Sequence, residues 1–200
     1  MVFHKHQKNS RAPHSSQETY VWDILVRTFH WLLVLLFIIA YISEDHFLTI
    51  HAWTGYSITL LLIIRIIWGF IGPRHARFSD FIFPKITVIQ FLKDTLSFRA
   101  KRYLGHNPAG AVMVFALIFA LIVTICCGLI LFGIEEGRGP LATTLTETSH
   151  IWGDIFEALH EFFAHSTLIL IAIHVSGVLV ESLINNENLI ASMLNGYKKK

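Results

Sequence analysis

Charge is what this 200-residue chain has little of: Asp, Glu, Lys and Arg make up 15% of it, against about 25% in ordinary soluble domains. Hydrophobic residues make up 54% and the mean hydropathy is +0.55, which excludes a soluble one- or two-domain protein and marks a membrane chain. Cysteine is scarce, with only Cys126 and Cys127, adjacent in an apolar run. Neighbouring residues rarely reach disulfide geometry, so both read as small buried hydrophobes. Without a Cys-x-x-Cys-His sequence, covalent c-type haem attachment is excluded. Residues Met1 to Tyr20 contain no apolar stretch, so a disordered cytoplasmic tail is expected over 1–20. A cleavable signal peptide is not expected there, and the first apolar span should target the chain. Histidine, by contrast, is plentiful, at 12 residues. An ionisable side chain inside a bilayer is costly enough to suggest function by default.

Crossing a bilayer as helix takes about 20 apolar residues. Four such runs are present, at about 24–42, 50–71, 107–134 and 161–183. Backbone groups in a bilayer core must be satisfied internally, so each run is expected to be helical. The expected fold is an all-α, four-helix transmembrane bundle over residues 21–198. Fourteen of the 16 Lys and Arg residues fall in the N-terminal tail and first turn, the connection between spans two and three, and the C-terminus. The other side carries Glu44, Asp45, Glu135, Glu136, Glu147, Asp154, Glu157 and Glu161, with Arg138 its one basic residue. The positive-inside rule then places both termini in the cytoplasm of a multi-pass inner-membrane protein.

Between spans two and three, residues 80–99 mix Phe81, Ile82, Phe83, Ile86, Val88, Ile89, Phe91 and Leu92 with Lys85 and Lys93. Pro84 suits the start of a short helix lying in the cytoplasmic interface; a loop with buried aromatics is the alternative. Trp22 with Trp31, and Trp53 with Trp68, suit anchors at the two membrane–water boundaries.

His4, His6 and His14 belong to the tail, His46 and His150 to external loops, and His75 and His106 to the cytoplasmic connection. On or at the ends of spans remain His30, His51, His160, His165 and His174. His160 and His174 are 14 residues apart, about 40° short of four full turns, so they share a helix face about 21 Å apart along the axis. His165 faces elsewhere. Span one runs outward and places His30 near the inner side; span two runs inward and places His51 near the outer side. The bundle thus pairs His30 with His174 and His51 with His160, one pair in each leaflet. Two b-type haems, each ligated by imidazoles from two helices, have that requirement. Gly55 and Gly177 lie near proposed ligands, where either a porphyrin face or helix–helix packing accounts for them. A histidine-based metal-ion transporter is the competing chemistry. Zinc, however, takes ligands gathered in one coordination sphere, and these pairs are far apart.

The chain resembles the prokaryotic cytochrome b-561 family and the b-type cytochrome subunits of Ni,Fe-hydrogenases. The resemblance is carried by Val-Trp-Asp-Ile-Leu-Val-Arg-Thr-Phe-His-Trp (21–31), His-Ala-Trp-Thr-Gly-Tyr (51–56), Arg-Ile-Ile-Trp-Gly-Phe-Ile-Gly (65–72) and Ala-Arg-Phe-Ser-Asp-Phe (76–81). It continues in Leu-Gly-His-Asn-Pro-Ala-Gly (104–110), His-Glu (160–161), His-Val-Ser-Gly-Val (174–178) and Glu-Asn-Leu-Ile (187–190). It implies axial haem ligands at His30, His51, His160 and His174 and electron exchange with a membrane quinone or quinol. The expected function is therefore a di-haem cytochrome carrying electrons between quinone and a periplasmic redox partner, such as a cytochrome c or a dehydrogenase subunit. The alternatives are a superoxide:quinone oxidoreductase on the same fold and the membrane anchor of a hydrogenase-like complex. No nucleic-acid partner is expected. Arg65, near the cytoplasmic end of span two, is expected either to pair internally, with a haem propionate among the candidates, or to snorkel to phosphate headgroups. Arg27, Arg77 and His106 are weaker candidates for a propionate or quinone pocket.

Overall fold

The computed structural model describes residues 18–44, 46–145 and 150–200. In order these form β1 (Glu18–Tyr20), α1 (Ile24–Ser43), α2 (Leu48–Ile71), two 3-10 turns (Arg74–Ala76 and Phe78–Phe81), α3 (Lys85–Leu96) and α4 (Pro108–Glu135). There follow α5 (Ala142–Leu145), α6 (His150–Asn185), α7 (Leu189–Asn195) and β2 (Tyr197–Lys199). Four of the helices, α1, α2, α4 and α6, are long and apolar enough to cross a membrane. The fold is all-α, with these four as the bundle.

Local chemistry fixes where the helices begin. Asp23 caps α1, its Oδ1 accepting from the amides of Leu25 and Val26 at 3.0 and 3.1 Å. Asn107 caps α4 by accepting from Gly110 N, and Pro108 follows in the first turn, where its missing N–H costs nothing. Pro84, in extended conformation, precedes α3, so the connection between spans two and three holds the short helix its apolar pattern suggests. Ile86, Ile89, Leu92 and Leu96 lie exposed along it, while Phe91 is buried.

Packing is antiparallel and pairwise: α1 lies chiefly on α2, and α4 on α6. The buried residues of α2 are Thr54, Ile58, Leu62, Arg65 and Gly69, a three-to-four-residue spacing that makes one stripe. At mid-depth Ile58, Leu62 and Leu121 form a core with Phe29, Leu33, Leu36, Phe37, Ala40 and Ile125 around it. The outward faces remain apolar, as lipid contact requires. Cys126 lies on such a face and is exposed, whereas Cys127 is buried; the expectation that both are buried holds for one of them.

The fourth span departs from expectation. Helix α6 has 36 residues and extends well before the expected start at 161. Residues 150–160 carry Asp154, Glu157 and His160, which end an apolar run, but Ile151, Ile155 and Leu159 recur at helical spacing. His160 therefore sits ten residues into the helix, about 15 Å from its start, and His150 begins a helix rather than lying in a loop.

At the end of the bundle rich in Lys and Arg, the two short strands meet. Strand β1 pairs antiparallel with β2, Glu18 opposite Lys199 and Tyr20 opposite Tyr197. Of the expected polar tail, residues 1–17 lie outside the described residues, and its last three form this strand. Gly196 closes α7 at φ +91°, a left-handed position suited to glycine, and its carbonyl accepts from the amides of Val21 and Trp22. Glu187, buried, receives Arg102 through two nitrogens at 3.1 and 3.2 Å and the amide of Lys199 at 2.9 Å. Lys198 is also buried and donates to Tyr103 O. Two tryptophans expected as boundary anchors belong instead to this assembly: Trp22 is buried with Val21, Val26 and Ala76, and Trp68 packs against them and donates to Asp23. Trp53, exposed, remains suited to the membrane boundary.

Candidate functional site

The two histidine pairs expected from depth and helix face are brought together. His51, in the first turn of α2, faces His160 of α6 with ring centroids 5.8 Å apart. Each Nδ1 has a backbone acceptor at 2.9 Å, Ala40 O for His51 and Thr124 O for His160. A neutral imidazole donating through Nδ1 presents a lone pair at Nε2, the state a metal ligand needs. Gly128 makes the His160 contact possible: a Cβ there would come within 2.9 Å of the ring's Cε1 and Nδ1.

At the other end His30 of α1 faces His174 of α6, centroids 6.4 Å apart and planes inclined at 55°. This pair is supported differently. His30 Nδ1 is buried and has no hydrogen-bond partner. Trp31, next to it, packs edge-on at 5.1 Å and donates to Met193 O, tying the pair's surroundings to α7.

Arg65 lies 14 residues after His51, on the same face of α2 and about 21 Å further along it. That carries it to the level of the His30–His174 pair. It is 3% exposed, donates to Ala76 O at 3.2 Å and lies 4.9 Å over the Phe78 ring. Snorkelling to headgroups is therefore set aside in favour of internal partners. Gly69 permits the arrangement, since a Cβ there would collide with Phe78. Nearby, His106 packs between Trp22, edge-on at 4.8 Å, and Phe81, tilted at 4.4 Å, and its buried Nδ1 lacks a partner. Burial, followed by the charges of Arg65, Lys198, His75 and His174, pushes His106 down to about 3, so it is a neutral imidazole.

The remaining candidates fall away from the pairs. His165 is exposed and bonds Glu161 O, Arg77 donates to Gly72 O, and His75 sits beside Asp80 at 3.5 Å. His4, His6 and His14 lie outside the described residues.

Both pairs fit a haem iron. Two metal–imidazole bonds of about 2 Å, plus about 1 Å from each nitrogen to its ring centre, separate the centroids by about 6 Å. The observed 5.8 and 6.4 Å match that span. Gly55 and Gly177 also fit, because a Cβ at either would meet nothing within 4 Å; helix–helix packing does not explain them. A zinc-type site fits less well: among the described residues no three or more His, Cys, Asp or Glu converge. Sequence reasoning missed the carbonyls of Ala40 and Thr124, which have no side-chain signature. It also missed Gly128, whose presence inside a long apolar run was a usable signal.

The chain is similar along most of its length to proteins described as probable Ni/Fe-hydrogenase B-type cytochrome subunits. The one from Cupriavidus necator is 23% identical, the alignment covering 92% of this chain and 88% of the relative. That from Rhizobium leguminosarum bv. viciae is 24% identical over 91% of this chain and 89% of its own length. The probable Ni/Fe-hydrogenase 1 B-type cytochrome subunit of Escherichia coli K12 is 24% identical over 90% of each. No solved structure is significantly similar to the chain. Residues 21–196 match the family described as prokaryotic cytochrome b561: with four membrane-length helices and paired imidazoles between them, the chain belongs to that family of membrane b-type cytochromes.

Proposed function

We propose that the protein is a di-haem membrane cytochrome, with His30 and His174 ligating one haem b and His51 and His160 the other. The observation that carries this reading is the repeated geometry, two facing imidazole pairs at near-equal spacing joined by one helix, α6. Bound haem supplies one-electron chemistry that side chains lack. The chain's part is to hold the imidazoles in the right tautomer, exclude water with the core around Ile58, Leu62 and Leu121, and set the electrostatics at each end. Arg65, buried at the level of the His30–His174 pair, is placed to balance the carboxylates of that haem.

Both termini face the cytoplasm of the inner membrane in this reading, and electrons pass between the membrane quinone pool and an external donor or acceptor. The relatives' description as hydrogenase cytochrome subunits favours a docked, hydrogenase-like enzyme over a diffusible cytochrome c. The purified protein is expected to show b-type bands on dithionite reduction and about two haems per chain, and to be reoxidised by a quinone analogue. Bands absent, or one haem per chain, would contradict the di-haem reading. Rapid anaerobic quinone reduction with superoxide as donor would point to the oxidase alternative.

A further inference from the structure

Buried polar atoms normally find hydrogen-bond partners, so the exceptions carry information. Among the described residues the unpartnered buried side-chain atoms are Thr19 Oγ1, Arg27 Nε, His30 Nδ1 and His106 Nδ1. All belong to the basic end of the bundle; the His51–His160 pair contributes none. Arg27 and His106 come from different elements and both lie beside Trp22. Arg27 precedes His30 by three residues, about one helical turn, and a Cβ on Gly196 would meet its guanidinium at 2.7 Å and Trp22 O at 2.8 Å. His106 packs on the Trp22 ring. Arg65 lies on the same cluster, bonded to the carbonyl of Ala76, which packs with Trp22. Of the carboxylates at this end, Asp23 already accepts from Leu25 N, Val26 N and Trp68 Nε1, and Glu181 accepts from Asn107. Arg27 Nε and His106 Nδ1 are thus left without a partner.

We infer that Arg27 and His106 form, with Arg65, an anchoring site for the carboxylates of the haem held by His30 and His174. Carboxylate is the ligand chemistry that fits: it accepts several bonds at once, and charge-assisted bonds from a guanidinium are the stronger kind. The proposal rests on the di-haem reading and assigns two residues that take no part in iron ligation. His106 supplies a neutral N–H donor packed between Trp22 and Phe81, while Arg27 supplies charge from the same helix as the ligand His30. At the opposite end the histidines bond backbone carbonyls, and no such cluster of orphaned donors exists among the described residues.

The test is redox-induced infrared difference spectroscopy on the full-length protein loaded with haem carrying carbon-13 in its propionates. Arg27→Gln and His106→Phe are expected to shift the labelled carboxylate bands of the His30–His174 haem. Each should also speed that haem's transfer to apomyoglobin by roughly tenfold, the change expected from losing one bond to a charged group. The His51–His160 haem should be unaffected, which also shows that the variants fold, and His106→Gln should restore much of the wild-type signature. Unchanged labelled bands and transfer rate in both variants, with both haems bound, would overturn the inference. So would unchanged bands with lost binding of a quinone analogue, which would assign the donors to a quinone carbonyl. A wild-type protein lacking the His30–His174 haem would overturn the functional reading itself.

Discussion

The two histidine pairs have nearly the same spacing and opposite surroundings. His51 and His160 each donate to a backbone carbonyl at the end of the bundle that carries Glu44 and Glu161. His30 has no acceptor for Nδ1, and Arg65, Arg27 and Lys198 lie at its end of the bundle. A bonded Nδ1–H makes an imidazole more basic and favours the oxidised metal, whereas nearby cations favour the reduced one. Both differences act in the same direction. On the di-haem reading, the fold repeats a ligand geometry and the basic-side site is expected to be the better electron acceptor.

The largest expected effect comes from removing that asymmetry's source of ligation. His51→Ala or His160→Ala should cost the acidic-side haem and leave the other, halving haem per chain in a pyridine haemochrome assay. Next, a redox titration of the wild-type protein should resolve two components, with the basic-side haem higher by about 60 mV or more, a tenfold preference for the electron. Equal potentials would remove the electrostatic basis of the comparison. Gly128→Ala should then act on one side only: the new methyl displaces the His160 ring, lengthens its bond to Thr124 O and weakens retention of the acidic-side haem by about tenfold. Arg65→Gln should lower the basic-side potential and leave the acidic-side one in place. A shift in both would mean that the variant disturbs the shared core.

The smallest effect concerns the clasp over the basic end. Bonds from Arg102 and the Lys199 amide, with the charge of Lys198, hold the Glu187 carboxyl below the usual range although burial alone would raise it. A lowered folded-state value means that the unfolded chain binds the proton first as the pH falls. The contribution is complete above the ordinary carboxylate range and is lost through and below it. Amide exchange in β2 and α7 should therefore quicken on acidification by more than the intrinsic pH dependence allows, and Glu187→Gln should remove the excess. The expected cost of that substitution is about 1 kcal/mol, because Arg102 is partly solvated.

Much of this was legible in the sequence because membranes impose simple rules. Span lengths, the apolar runs and the 14-residue interval between His160 and His174 sufficed to predict which histidines face each other. The start of α6 was not legible: Asp154 and Glu157 interrupt hydropathy without interrupting helix, so an apolar-run criterion places the boundary about three turns late. The support for the proposed ligands was also hidden. Ala40 and Thr124 act through backbone carbonyls that every residue possesses, and only the fold brings them to an imidazole. Trp22 and Trp68 read as boundary anchors because tryptophan suits both interfaces and polar-edged cores. Trp22 is buried and Trp68 partly buried where the C-terminal segment folds back over residues far away in the chain.

The central claim is that two separate histidine pairs each hold one haem, and four single variants test it directly. Optical spectra of His30→Ala, His51→Ala, His160→Ala and His174→Ala during redox titration should fall into two groups. The His30 and His174 variants should lose the same high-potential component, and the His51 and His160 variants the same low-potential one. If His51→Ala removed the component lost in His174→Ala, or if any of the four retained both haems with wild-type spectra, the assignment of the pairs would be wrong.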